Sequence, residues 1–180
     1  PACYFTFLSP RVLSEIGKEG PFVESWDMVD ACLAPETTRV IKSLHEDPSP
    51  LCAALQHLPQ TLTHGDWATR NLGIDPQRSS SVLAIDWQFT HRTAPALDLF
   101  RYLIEHIAEW LVPHGESIRY YRTCYEQHAD TVLDDEEWEA QVELGMLGIF
   151  LAFGAWWTSN MEDRGQLAEL PWIEQKIQAA

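Results

Sequence analysis

His64-Gly65-Asp66-Trp67-Ala68-Thr69-Arg70-Asn71 is followed by two short apolar runs, Leu72-Gly73-Ile74 and Val82-Leu83-Ala84-Ile85, and then by Asp86-Trp87. Between the runs stand Asp75-Pro76-Gln77-Arg78 and three serines, which is turn chemistry, so the segment is expected to form a β-hairpin. In an antiparallel hairpin Asn71 enters the first strand and Asp86 leaves the second. Residues fifteen apart in sequence then meet at one end of the ladder.

Around that hairpin the remaining signal is helical. Pro35 to Glu46 has a proline start, Ser117 to His128 places Ile118, Tyr121 and Tyr125 on one face, and Asp135 to Trp157 opens with acids before Trp138, Val142, Gly145 and Ile149 recur. A helix from Ala96 to Leu111, a short one within Leu51 to Leu58 and a tail from Pro171 complete the expected set, with Asp47-Pro48-Ser49-Pro50 as a hinge. The uncharged stretch from Leu144 to Met161 approaches the length of a membrane span. Its Gly145, Gly148 and Gly154 and the polar Thr158-Ser159-Asn160 point instead to a core helix packed closely against its neighbours. The expected fold is a single domain over residues 1–180, mainly α with one small β-hairpin.

The residue types in the opening stretch suit phosphoryl transfer. A hydroxyl attacking a γ-phosphate needs to be oriented and to lose a proton, and Asp66 offers a carboxylate for both. The phosphate charge needs hard oxygen ligands on Mg²⁺, and Asn71 and Asp86 supply an amide oxygen and a carboxylate. Taken singly, each has a plainer reading: an Asx turn in a loop, or a carboxylate ending a strand. Arg70 suits a bidentate contact to a phosphate oxygen, or an ordinary surface ion pair. His64 reads as a structural imidazole bonded to backbone, and Asp98, in the first turn of its helix, reads equally as a cap or as a tie to the loop.

From about Leu58 to Leu103 the chain resembles the catalytic lobe of the aminoglycoside phosphotransferase and choline kinase-like superfamily, relatives of the protein kinases. The His-Gly-Asp-x-x-x-x-Asn loop at 64–71, the Ile-Asp-Trp segment at 85–87 and Leu97-Asp98-Leu99 occur in the same order. The resemblance implies the C-terminal, helical lobe of a protein-kinase-like α+β fold, with Asp66 as catalytic base, Asn71 and Asp86 as magnesium ligands, and His64 and Asp98 bracing the loop. It also implies Mg²⁺ and ATP or GTP as cofactors, and a small-molecule hydroxyl such as that of an aminoglycoside or amino-alcohol as acceptor. Two places depart from the family pattern: Trp67 replaces a small aliphatic residue after the aspartate, and Thr93-Ala94-Pro95 stands where glycine is common.

A kinase also needs a β-rich lobe with a strand lysine. Only 63 residues precede His64, and they read as linker and helices; Gly17-Lys18-Glu19-Gly20 has too few glycines, and Lys42 falls on the helix from Pro35. The expectation is a fragment whose N-terminal lobe is absent and which is inactive alone, with a non-catalytic binding module as the alternative. A net charge of −15 argues against nucleic acid or an anionic membrane as partner and suits a cationic acceptor, which Glu105 or Glu109 with Trp110 or Trp156 could receive, although such glutamates more often face water and such tryptophans more often fill the core. Cys3, Cys32, Cys52 and Cys124 form no C-x-x-C pair and no secretory segment opens the chain, so reduced thiols in a cytoplasmic protein are expected.

Overall fold

In the computed structural model, which describes residues 2–15, 17, 21–78, 81–106, 112–158 and 170–180, the scaffold is built around one long helix. The chain runs through α1 (Ala2–Thr6), α2 (Pro10–Glu15), α3 (Pro21–Cys32), α4 (Pro35–Glu46) and α5 (Ser49–His57) before its first strand, β1 (Thr61–Thr63). Then come the hairpin strands β2 (Leu72–Ile74) and β3 (Val82–Ala84), the strand β4 (His91–Thr93), and the helices α6 (Ala96–His106), α7 (His114–Ala129), α8 (Asp135–Thr158) and α9 (Leu170–Ala179). Short 3₁₀ turns at Thr69–Asn71 and Trp87–Phe89 flank the hairpin.

Helix α8 is the axis. Its start is fixed by reciprocal capping, the Glu137 N–H donating to Asp134 Oδ1 at 2.7 Å and the Asp134 N–H to Glu137 Oε2. From Gly145 to Ala155 it is buried on every side, including Met146 and the run Ile149–Ala152, because α1, α3, α5, α6 and α9 all pack on it. This helix is long and apolar enough to cross a membrane, yet its apolar length lies mostly inside the protein, as in a core helix. Gly145 makes the α6–α8 crossing close: a Cβ there would stand 2.8 Å from the Ala96 Cβ and 3.0 Å from the Phe100 ring.

The expected hairpin forms, with Leu72 opposite Ala84, Gly73 opposite Leu83 and Ile74 opposite Val82. A second antiparallel pair, β1 with β4, joins segments about thirty residues apart, with Thr61 opposite Thr93 and Thr63 opposite His91. Three-residue strands without alternation carry no legible period, and this pair was not anticipated. The helices Pro35–Glu46 and Asp135–Thr158 match their expected bounds to within a residue, whereas α7 begins three residues earlier than expected, at His114. The expected helix to Leu111 is seen as α6 to His106, and positions 107–111, with Glu109 and Trp110, lie outside the described residues. Lys18 and most of the polar segment after Thr158 also lie outside them.

Candidate active site

The site is assembled on one stripe of α6. Asp98, Arg101 and Glu105, spaced three and four apart, project from the same side of a helix whose Leu97, Phe100, Leu103 and Ile104 fill the core. Each of the three grips the loop 64–71 at a different point.

Asp98 takes the loop backbone. Its Oδ2 accepts the His64 N–H at 2.7 Å and its Oδ1 the Gly65 N–H at 2.8 Å. Burial pushes its carboxyl above the usual carboxylate range, against the lowering by those two N–H donors. Gly65 has φ +80°, and a Cβ there would come within 2.4 Å of the Phe89 carbonyl oxygen, so only glycine fits this turn. The Gly65 carbonyl accepts the Tyr4 hydroxyl at 2.7 Å. Burial and the nearby Asp98 charge raise the Tyr4 hydroxyl far above its ordinary range, so it remains a donor.

His64 connects loop to hairpin. The Asp66 N–H donates to its Nδ1 at 3.3 Å, which leaves the proton on Nε2 to be donated to the Ile85 carbonyl at 2.8 Å. Its ring lies between Trp67 and Trp87, with centroids 5.4 and 4.7 Å away, so the large residue after Asp66 has a packing role against the imidazole. The hairpin ladder then extends by one bond, Ile85 N–H to Asn71 carbonyl at 3.0 Å, and this link brings the residue next to Asp86 against Asn71.

Asn71 is buried, and its Nδ2 donates to the Asp66 carbonyl at 2.9 Å and to Asp66 Oδ2 at 3.1 Å. Its Oδ1 is the acceptor end of the amide. Asp86 is exposed, in the left-handed region at φ 65° and ψ 56°, with Gln88 Nε2 3.5 Å from its Oδ2. Asn71 and Asp86 present hard oxygens of the kind Mg²⁺ takes alongside phosphate and water. Among the described residues no cluster of three or more His, Cys, Asp and Glu side chains is placed to hold a metal, so such an ion would draw most of its shell from phosphate and solvent.

Asp66 is where the structure adds most. Its buried carboxylate receives the Arg70 Nη2 on both oxygens, at 2.8 and 2.6 Å, and Arg101 Nε and Nη2 on Oδ1, each at 2.9 Å. Arg70 Nη1 also reaches both Glu105 oxygens, at 2.7 and 2.8 Å, and Arg101 Nη1 lies 2.7 Å from Glu105 Oε2. The Arg101 side chain is 2% exposed, with its guanidinium 4.4 Å from the Phe153 ring centroid and 5.7 Å from that of Trp156. Sequence reading missed Arg101 and Tyr4; the Asp98–Arg101–Glu105 spacing inside an apolar helix was the available signal for Arg101. Glu105 and Trp156, expected to receive a cationic acceptor, are instead in contact with guanidinium groups of the chain itself.

A histidine-braced aspartate loop joined to an aspartate-bearing hairpin is the arrangement expected of a phosphotransferase catalytic centre. The phosphotransferase enzyme family (APH) model matches residues 10–131, and the chain belongs to that family. No curated protein and no solved structure matches it significantly.

Proposed function

We propose that the protein is the catalytic lobe of an ATP-dependent, or GTP-dependent, phosphotransferase that moves a γ-phosphate to a hydroxyl of a small molecule. The observation that supports this reading is the Ile85 N–H bond to the Asn71 carbonyl, which joins the residue before Asp86 to Asn71 at the end of the Asp66 loop. Asn71 Oδ1 and Asp86 would hold Mg²⁺, which supplies charge neutralisation on the phosphates when bound. Asp66 orients the acceptor hydroxyl and takes its proton as the oxygen–phosphorus bond forms; the bond to the bridging oxygen breaks and the nucleoside diphosphate leaves. His64 and Asp98 hold the loop in place for that step, and Arg70 is the nearest cation for a phosphate or acceptor oxygen.

Of the three lysines, Lys42 lies on α4 and Lys176 on α9, and Lys18 lies outside the described residues. The reading therefore calls for a phosphate-gripping lobe beyond these 180 residues, and for no turnover without it. The reading places the protein in the cytoplasm, where thiols such as those of Cys32 and Cys124 stay reduced. One observation favours the alternative of a non-catalytic module: two arginines occupy both Asp66 oxygens, where a base needs an open one.

The test uses an active, upstream-extended protein. Asp86→Ala is expected to abolish Mg-nucleotide binding by calorimetry while the helical circular dichroism is kept; unchanged affinity would remove the metal assignment. Asp66→Asn is expected to lower turnover by roughly 10² to 10⁴ with nucleotide affinity little changed. Near-normal turnover would remove Asp66 from the base's role, and absence of turnover with any acceptor in the extended protein would favour the non-catalytic module.

A further inference from the structure

Beside Asp66 opens a cleft of about 500 Å³, lined by Arg70, Arg101 and Glu105 on its polar side and by Phe7, Phe153 and Trp156 on its apolar side. We propose that this cleft is the acceptor site and that it takes a hydroxylated acceptor bearing a carboxylate, a sugar acid or similar polyhydroxy acid, whose anionic group draws Arg70 away from Asp66. The proposal rests on the phosphotransferase reading for the fate of the hydroxyl, but its binding selectivity stands apart from it.

Three observations select an anion. The cleft's charged lining is two guanidiniums and one carboxylate, with Asp66 outside the lining balancing the second guanidinium, and Glu105 is already spent, since both its oxygens face Arg70 and one also faces Arg101. An incoming ammonium would find no open acid there. Next, Arg70 Nη1 already holds both oxygens of a carboxylate, at 2.7 and 2.8 Å from Glu105, so the contact an acceptor carboxylate would make is one this side chain shows. Finally, the two arginines differ in freedom: Arg101 is 2% exposed and pinned under aromatic rings, whereas the Arg70 side chain is 50% exposed and is the member able to swing.

A carboxylate on the acceptor would engage the planar Arg70 fork as Glu105 does now. Arg70 then releases Asp66 Oδ2, and that oxygen becomes the acceptor for a hydroxyl on the same molecule. Arg101 stays on Oδ1 and keeps the carboxylate oriented. The latch on Asp66 thus opens only for a substrate that brings its own anion, which reconciles a saturated carboxylate with a base. The −15 net charge works against an anion at long range, but it is screened over about 8 Å at physiological ionic strength, and contact-distance guanidiniums dominate inside the cleft.

The experiment measures binding of glucuronate, glucose and glucosamine, one ring with an anionic, neutral or cationic substituent, to the 180-residue chain by ligand-observed NMR without nucleotide. Glucuronate is expected to bind roughly tenfold tighter than glucose, with glucosamine weakest. Arg70→Gln should bring glucuronate down to the level of glucose. Glu105→Gln, which frees both arginines from a competing carboxylate, should tighten glucuronate several-fold, a direction that mere structural damage does not produce. Preference for glucosamine, equal binding of all three, no binding by any, or glucuronate binding unmoved by Arg70→Gln would each overturn the proposal. The phosphotransferase reading fails separately, by unchanged Mg-nucleotide binding in Asp86→Ala.

Discussion

The loop 64–71 and the hairpin end 85–87 each carry a candidate site carboxylate, and the fold treats the two in opposite ways. Asp66 is buried and its oxygens are gripped by two guanidiniums and an amide, while Asp86 stands exposed in a left-handed backbone conformation. Around Asp66, α6 and α8 supply a packed wall; around Asp86, Ile74, Val82, Leu83, Ile85 and Trp87 are all about half exposed or more. The loop is thus preorganised by the core, and the hairpin end is held chiefly by backbone bonds to its neighbours. Substitutions at the loop should therefore cost stability, whereas those at the hairpin end should change ligand binding and leave the fold alone.

The largest effect expected from that contrast is at Arg101. Arg101→Met strips Asp66 and Glu105 of their one buried cation, and an uncompensated buried charge costs about 3–5 kcal/mol. Urea unfolding should show the loss, and adding Glu105→Gln should return part of it, because the second variant removes one of the stranded charges. A loss under about 1 kcal/mol would mean that water reaches the carboxylates and that the loop is no better shielded than the hairpin end.

Arg101 also marks how far the sequence could be read. The hairpin was legible because turn residues between two apolar runs are local information, and the structure adds its register. The loop motif gave the linear order of His64, Asp66, Asn71 and Asp86, and the structure shows the bonds that tie the loop to the hairpin. What the sequence concealed was tertiary. A charged residue on an amphipathic helix normally faces water, so the Asp98–Arg101–Glu105 spacing hinted at a shared stripe but not at the place of Arg101 against Phe153 and Trp156. The β1–β4 pair and the Tyr4 hydroxyl on Gly65 join residues 28 or more apart, which no window along the chain reports.

A second break in the contrast is Gly65→Ala. Its Cβ would press on the Phe89 backbone at a positive φ, so a loss of about 2–3 kcal/mol is expected. Gly73, in the hairpin, has φ outside the left-handed region and open space around it, and Gly73→Ala should be near neutral by the same measurement. Equal costs at the two glycines would erase the distinction between a built loop and a loosely held hairpin.

Asp86→Gly should move stability the other way. A left-handed non-glycine residue carries strain of about 1 kcal/mol, which glycine relieves, so the variant is expected to unfold at higher urea while losing Mg-nucleotide binding. Gain of stability with loss of ligand is the signature of a conformation kept for function. A destabilised Asp86→Gly would show instead that the carboxylate supports the hairpin.

The smallest effect is a pH slope, and it locates what carries the loop. His45 on α4 is buried, donates Nε2–H to the Leu151 carbonyl on α8 at 3.0 Å, and stands edge-on to Trp26 at 4.4 Å. Burial lowers its pKa below the ordinary histidine value, only partly opposed by the bond to Leu151. The neutral ring is the one that folds, so the unfolded chain binds the proton more readily. The stabilisation is therefore fully present above about pH 6.5 and is lost as pH falls through the lowered value. Because α8 is the helix on which α6 and its loop-gripping stripe rest, acidification should reduce protection of the loop amides in hydrogen exchange as global stability falls. Amides of β2 and β3, which open locally without unfolding the core, should respond far less. His45→Gln retains a donor for Leu151 and removes the titration, so its stability should vary less between pH 7.5 and 5.5 than that of the parent protein. An equal fall in both would assign the acid sensitivity elsewhere, and an equal loss of protection in loop and hairpin would show that the two regions open as one.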